Sequence, residues 1–332
     1  MLRPPLREVV VSALEIRGLD VSLGGTPILH GIDLTVSDGE AVALLGPSGS
    51  GKTTLLYAVA GFVTPTGGEI AISGRVVSGL GRFEPSERRS VGFVFQNYAL
   101  WPHLTAGATV AYPLERAGMT PEDATLQAGA LLAMVGIAEL SGRKPAELSG
   151  GQQQRVGLAR AMARHASVYL LDEPTAHLDS ALRADVQEEL AVRMTADGAA
   201  AIYATHDSVE AMAIADRVVL MREGRIVQSG APDVVYSRPV DLWAARLTGP
   251  AWELDGAVVG EQAGRVVVRP DWVEPDGGLS GRITAVWFRG PFTDYRIETA
   301  AGSVEMRRPG APEWVQGDGV SVRVVKWWAV ED

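Results

Sequence analysis

The sequence contains no cysteine, which excludes a disulfide framework, a thiolate zinc site, an iron–sulfur cluster and a cysteine nucleophile. Lysine is almost as scarce: Lys52, Lys144 and Lys326 stand against 27 arginines. No run approaches the roughly 18 consecutive apolar residues of a membrane helix. The apolar stretch near the N-terminus is broken by Ser12 and ends at Glu15, too short for a signal peptide. Positive charge is in deficit, 30 basic against 40 acidic side chains for a net charge of −10. That balance argues against a protein whose main task is gripping nucleic acid. Tryptophan is nearly missing from the first 240 residues; seven of the eight follow them.

What is present is ordinary for a globular protein of a reducing compartment: 332 residues, 46% hydrophobic and 21% charged, enough for two cores. The tryptophan shift marks a boundary between them. Up to about Arg238 apolar runs such as Ala41–Leu45 alternate with helical segments, the pattern of a mainly parallel sheet. Thr120-Pro121-Glu122-Asp123 reads as an N-cap, a proline at the first helical position and acids in the first turn. Leu126, Ala130, Leu131, Met134 and Val135 then predict a buried helical stripe, with Gly136 as its stop. After Pro239 come short β-rich runs, 265–269, 282–288, 295–299 and 320–325, separated by Gly, Pro and Asp. They predict a small all-β barrel, with a hairpin turning through Gly290-Pro291. Trp272, Trp287, Trp314, Trp327 and Trp328 are expected to pack in its core and interfaces. The division expected is therefore 1–240, a linker over 241–251, and 252–332.

Residues Gly46-Pro47-Ser48-Gly49-Ser50-Gly51-Lys52-Thr53 form a complete G-x-x-x-x-G-K-[ST] between an apolar strand and the apolar Leu55–Ala60. The glycines let consecutive backbone N–H groups turn onto phosphate oxygens, at the positive end of a helix dipole. Lys52 suits the β/γ-phosphates, and the Thr53 hydroxyl suits Mg²⁺. A lysine here, in a chain that otherwise uses arginine, fits the need for a compact ammonium. Val168–Leu171 is an apolar run ending in Asp172-Glu173. By itself such an ending is usually a solvated strand end. Beside the phosphate loop it reads as a Mg²⁺ carboxylate followed by a general base for water. Gln96 and His206 each follow an apolar run and complete the set. Ser149-Gly150-Gly151 at a helix start offers a second anion-binding terminus.

The order of phosphate loop, Gln96, Leu148-Ser149-Gly150-Gly151-Gln152, Asp172-Glu173, Asp179 and His206 resembles the ATP-binding subunit of ABC transporters, over about residues 13–240. The signature between the two nucleotide motifs is the specific element. The resemblance implies a P-loop NTPase of α/β class, with a RecA-like core, an antiparallel β subdomain and a helical subdomain over about 97–160. Residues 250–332 are similar to the oligomer-binding-fold-like (TOBE) regulatory domain of such subunits, Val268-Arg269-Pro270-Asp271 matching one of its elements. Pro85-Ser86-Glu87-Arg88-Arg89 and Phe288-Arg289-Gly290 lean toward the ferric-iron and polyamine branch. The resemblance implies ATP held by residues 46–54, and Mg²⁺ by Thr53, Gln96 and Asp172. Glu173, His206 and Gln96 are then catalytic. Ser149, Gly150, Gly151 and Gln152 would close on the partner's nucleotide in a head-to-tail homodimer, with Asp179 at its seam. Two membrane permease subunits and, indirectly, an extracytoplasmic solute-binding protein are the implied partners, at the cytoplasmic face of the membrane and without nucleic acid.

Two positions depart from the family pattern. Leu23 stands where an aromatic usually stacks on adenine, and supplies apolar contact without ring stacking. His177 stands in the Asp179 loop where a small or amide side chain is usual. Two other classes share these motifs: non-transport ABC ATPases of DNA repair, which carry a long coiled-coil insertion and fit the acidic charge poorly, and ligand-sensing regulatory ATPases.

Overall fold

The structure is a computed structural model describing residues 12–163, 165–175, 198–260 and 264–330; His177 and Asp179 lie outside these. Two compact units form, Met1–Ile226 and Val227–Asp332.

In the first unit Ser12–Leu23 (β1) and Thr26–Ser37 (β2) pair antiparallel. Gly67–Ile72 (β4), Arg75–Gly79 (β5) and Arg82–Phe83 (β6) extend them in the order β2-β1-β4-β5-β6. The second sheet contains Ala41–Leu45 (β3), Val91–Val94 (β7), Val168–Asp172 (β8), Ala200–Thr205 (β9) and Arg217–Arg222 (β10). With Arg225–Gly230 as β11 its order is β11-β10-β3-β9-β8-β7, and every step from β10 to β7 is parallel.

Both faces of this sheet are covered, and the period of two decides which residue faces what. Val168, Leu170, Ala200 and Ile202 join the core containing Leu55, Leu56 and Val59 of the helix Lys52–Ala60 (α1). Tyr169, Leu171, Ala201 and Tyr203 face the other way, into the core shared with the helical subdomain. Full burial of a side chain such as Leu170 or Ile202 contributes about 1.5–3 kcal/mol. The helical subdomain consists of Ala106–Arg116 (α2), Pro121–Met134 (α3) and Gly150–Met162 (α4).

Helix α3 starts as the sequence predicts, Thr120 Oγ1 accepting from Asp123 N–H at 3.2 Å. Gly136 follows it in the left-handed region at φ +68°. Its buried face differs from the expected stripe. Ala124, Ala128, Leu131, Leu132 and Val135 are buried, while Leu126 is 77% exposed and Ala130 and Met134 also face outward. Small alanines let α3 approach α2 and α4 closely, so the bulky Leu126 and Met134 fall outside the contact. The helical period is right; the phase chosen by side-chain bulk is not.

The second unit begins before the expected boundary. Pro232–Ser237 (α6) and Leu242–Thr248 (α7) belong to it, with Ser208–Ile214 of the first unit counted as α5. The reason is Arg269, which is fully buried. It donates to Tyr236 O at 2.8 Å, Ala245 O at 3.1 Å and Thr248 Oγ1 at 2.8 Å. Its guanidinium lies 3.8 Å from the centroid of the Tyr236 ring. The two helices are thereby tied to the β-domain, and α7 occupies most of the expected linker.

The β-domain has two small sheets. Trp252–Asp255 (β12), Arg265–Val268 (β13) and Trp328–Val330 (β18) form one, in the order β12-β13-β18. Val273–Phe288 (β14), Phe292–Thr299 (β15), Gly302–Pro309 (β16) and Gly319–Val324 (β17) form the other, in the order β16-β15-β14-β17. The hairpin through Gly290-Pro291 is present, with Phe288 opposite Thr293. Trp272 is buried in the core, and Trp314 and Trp327 pack against it. Trp287 is half-buried under Arg296, while Trp328 is 37% exposed.

Candidate active site

The parallel register fixes the site. Leu45 pairs with Thr205, Asp172 with Ala204, and Val94 with Leu171. The carboxyl ends of β3, β9, β8 and β7 therefore finish level, and the residues that follow them converge where open α/β sheets bind ligands.

After β3, the loop from Gly46 wraps toward the N-terminus of α1. Gly51 has φ +101°, and Gly49 has φ +80°, conformations open to glycine. A Cβ on Gly46 would collide with the carbonyl oxygen of Met221 and the hydroxyl of Ser50. Lys52 is 6% exposed. Its ammonium donates to Gly46 O at 2.6 Å and Pro47 O at 3.1 Å, so the chain's rare lysine is anchored across the loop. Burial lowers its pKa, opposed by the nearby charges of Glu173 and Asp172. Ser48, Gly49, Ser50, Gly51, Lys52, Thr53 and Thr54 line a cleft of about 330 Å³ together with Ile28, Gln96 and Glu173.

Asp172 is 1% exposed. Its Oδ1 accepts from the Thr53 hydroxyl at 3.1 Å, while Oδ2 is buried without a partner. Desolvation raises its pKa, partly offset by the Thr53 hydrogen bond. An orphaned carboxylate oxygen next to a threonine hydroxyl is a hard-oxygen donor pair suited to Mg²⁺. Among the described residues no group of three or more His, Cys, Asp or Glu could hold a metal. The Asp172–Thr53 donor pair suits a metal shared with phosphate oxygens.

Glu173 turns the chain sharply at φ +47°, uncommon for a residue with a Cβ. Its N–H donates to Ala204 O at 2.9 Å. The carboxylate is held from two sides: Gln96 Nε2 donates to Oε2 at 3.1 Å, and His206 Nδ1 lies 3.0 Å from Oε1. The sequence-predicted trio of Gln96, Glu173 and His206 is thus one hydrogen-bonded constellation. With the proton on Nδ1, His206 donates to Glu173 and keeps Nε2 as an acceptor.

Ser149 caps α4: its hydroxyl accepts from Gln152 N–H at 3.3 Å, and Gln152 Oε1 accepts from Ser149 N–H at 2.8 Å. This capping box leaves the first helical amides at an exposed end. None of residues 149–152 lines the cleft. Leu23, expected against adenine, is 43% exposed and does not line it either; Ile28 does. Sequence reading also passed over Arg160, on α4 beyond the signature. It donates to Ala99 O at 2.6 Å and Tyr98 O at 3.1 Å, and its guanidinium lies over the Phe95 and Trp101 rings. Tyr98 and Ala99 both have positive φ, +61° and +43°. Burial lowers the Arg160 pKa to about 10. No local motif announces such a residue, because its partners are backbone carbonyls some 60 positions away.

Residues 29–176 match the model of the ABC transporter family, and residues 266–329 that of the TOBE domain. An Fe(3+) ions import ATP-binding protein of Rhodococcus jostii is 43% identical, over 94% of this chain and 97% of its own length. An sn-glycerol-3-phosphate import ATP-binding protein of Rhizobium johnstonii is 41% identical over 80% of the chain and 73% of its own length. A spermidine/putrescine import ATP-binding protein of Oleidesulfovibrio alaskensis is 42% identical over 75% and 66%. Among solved structures, a dimeric post-hydrolysis state of an ATP-binding cassette bound to ADP and phosphate aligns with TM-score 0.61 and 31% identity. It covers 66% of this chain and 98% of its own.

Proposed function

The chain belongs to the ABC transporter family, as the ATP-binding subunit of an importer that couples ATP hydrolysis to transport, and from this premise we propose how its residues act and what it imports. ATP binds with its phosphates on the amides of residues 46–54. Lys52 transfers its ammonium from the loop carbonyls to the β/γ-phosphates. Thr53 and Asp172, with Gln96 beside them, would hold Mg²⁺, which when bound neutralises charge on the phosphates. Glu173 accepts a proton from the attacking water. His206 holds that carboxylate in place, and Gln96 connects it to the loop leading into the helical subdomain. The exposed 149–152 terminus, outside the chain's own cleft, is supplied to the partner's nucleotide in a head-to-tail homodimer. Asp179 sits at the seam of that dimer in this reading. Two permease subunits dock on the helical subdomain at the cytoplasmic face of the membrane, and a solute-binding protein delivers the cargo.

Ferric iron is the proposed cargo, and a polyamine is the next. One observation carries the choice: similarity to the Rhodococcus ferric-iron subunit runs through both units, 94% of one chain and 97% of the other. The match to the polyamine subunit spans 66% of that protein. The test is uptake of labelled ferric iron and labelled spermidine in a host strain deleted for this gene. Iron uptake is expected to fall, to return with the wild-type gene and to stay low with Glu173→Gln. Loss of spermidine uptake alone would overturn the iron assignment.

A further inference from the structure

The first unit contains a buried acid that has no place in the cleft. Glu210, on α5, is 8% exposed. Its helix is capped by Asp207, whose Oδ1 accepts from Val209 N–H at 2.9 Å and Glu210 N–H at 3.2 Å. The carboxylate gathers three hydroxyls. Oε1 accepts from the Tyr203 hydroxyl at 2.6 Å and from the Thr175 hydroxyl. Oε2 accepts from Thr205 Oγ1 at 2.7 Å.

The placement of those hydroxyls gives the acid its significance. Thr175 comes two residues after Glu173, and Thr205 immediately precedes His206. One buried carboxylate thus fastens the segment leaving the strained Glu173 turn and the segment entering His206. A non-glycine residue at positive φ persists only where its surroundings fix the chain on both sides. At Glu173 the near side is held by Ala204 O and the far side, through Thr175, by Glu210. Thr205 is fixed twice, since its Oγ1 also accepts from Asp207 N–H at 3.0 Å. The 3.0 Å separation of Glu173 and His206 is set by these two anchorages.

We propose that Glu210 is a positioning residue for ATP hydrolysis, holding the Glu173–His206 pair in register through Thr175 and Thr205. It touches none of the cleft-lining residues in the contacts described, so it acts on the chemical step and not on nucleotide capture. The inference rests on the assignment of Glu173 as the hydrolytic base.

The test is steady-state ATP turnover by the full-length chain. A misplaced catalytic group costs up to about 10²-fold. Glu210→Ala is expected to lower kcat at least about tenfold while KM for Mg-ATP stays within about twofold. Glu210→Gln keeps the shape and an accepting oxygen, and is expected to recover most of the loss. Thr175→Val removes one arm without opening a cavity, and is expected to reduce kcat severalfold even if the alanine variant fails to fold. Wild-type kcat in Thr175→Val or Glu210→Ala overturns the proposal, as does a loss shared equally between kcat and ATP affinity. Glu173→Gln serves as the control. Turnover persisting there overturns the base assignment itself, whereas its loss together with a normal Thr175→Val overturns only the role of Glu210.

Discussion

Asp172 shows the tension at the residue scale. A carboxylate with one oxygen unpartnered and buried costs stability, on the order of 1–3 kcal/mol for the unsatisfied group, yet the same oxygen is the available hard ligand beside Thr53. Desolvation raises its pKa in the fold. The folded chain therefore holds this proton more tightly than the unfolded chain does, and this contribution to stability falls as pH rises through and just above the usual carboxylate range. Asp172→Asn is expected to flatten that slope in the ligand-free protein without lowering its thermal midpoint at neutral pH. The same variant should lose the stabilisation that wild type gains from Mg-ATP. Thermal melts across pH, with and without Mg-ATP, check both; a midpoint still raised by Mg-ATP in the variant would contradict the metal assignment.

At the scale of elements, the glutamine segment and the signature helix form one mechanical piece. Arg160 spans them with two charge-assisted hydrogen bonds to consecutive carbonyls of residues in the left-handed region. Bonds of this kind contribute about 1.5–3 kcal/mol each. Arg160→Ala is expected to speed amide exchange over residues 97–101 at least tenfold and to reduce ATP turnover severalfold, with Mg-ATP affinity unchanged. Hydrogen-exchange mass spectrometry reads the first effect and a turnover assay the second. The same elements separate what was legible in the sequence from what was not. The glycine loop before α1, the strand ending at Asp172, the α3 cap and the hairpin at Gly290-Pro291 are local patterns, and the chain forms each of them. The buried face of α3 was misphased because alanine packing outweighs bulk. Arg160 was invisible because its carbonyl partners lie some 60 positions away, and neither Arg269, named only within a family element, nor Glu210 carries a local sign that it is buried among several hydrogen-bond partners. Ile28 likewise reaches the cleft only through the fold.

At the scale of the whole molecule, the cleft is lined by the phosphate loop, Gln96 and Glu173 but by none of residues 149–152, the second anion-binding terminus expected from the sequence. Residues 149–152 lie at an exposed helix end, and the proposed head-to-tail dimer would use both termini. In the proposed mechanism, chemistry without cysteine would be carried by oxygen donors, a glutamine, a histidine and a lysine. Among the described residues no helix is long and apolar enough to cross a membrane. The most direct test is the solution mass of Glu173→Gln with Mg-ATP, by light scattering, beside its ATP turnover. Turnover is expected to vanish while the 35.2 kDa chain doubles its mass, and Ser149→Arg added to the same variant is expected to return it to a monomer. Continued hydrolysis by Glu173→Gln, or a mass indifferent to both ATP and Ser149, would contradict a shared ATP site built from these residues.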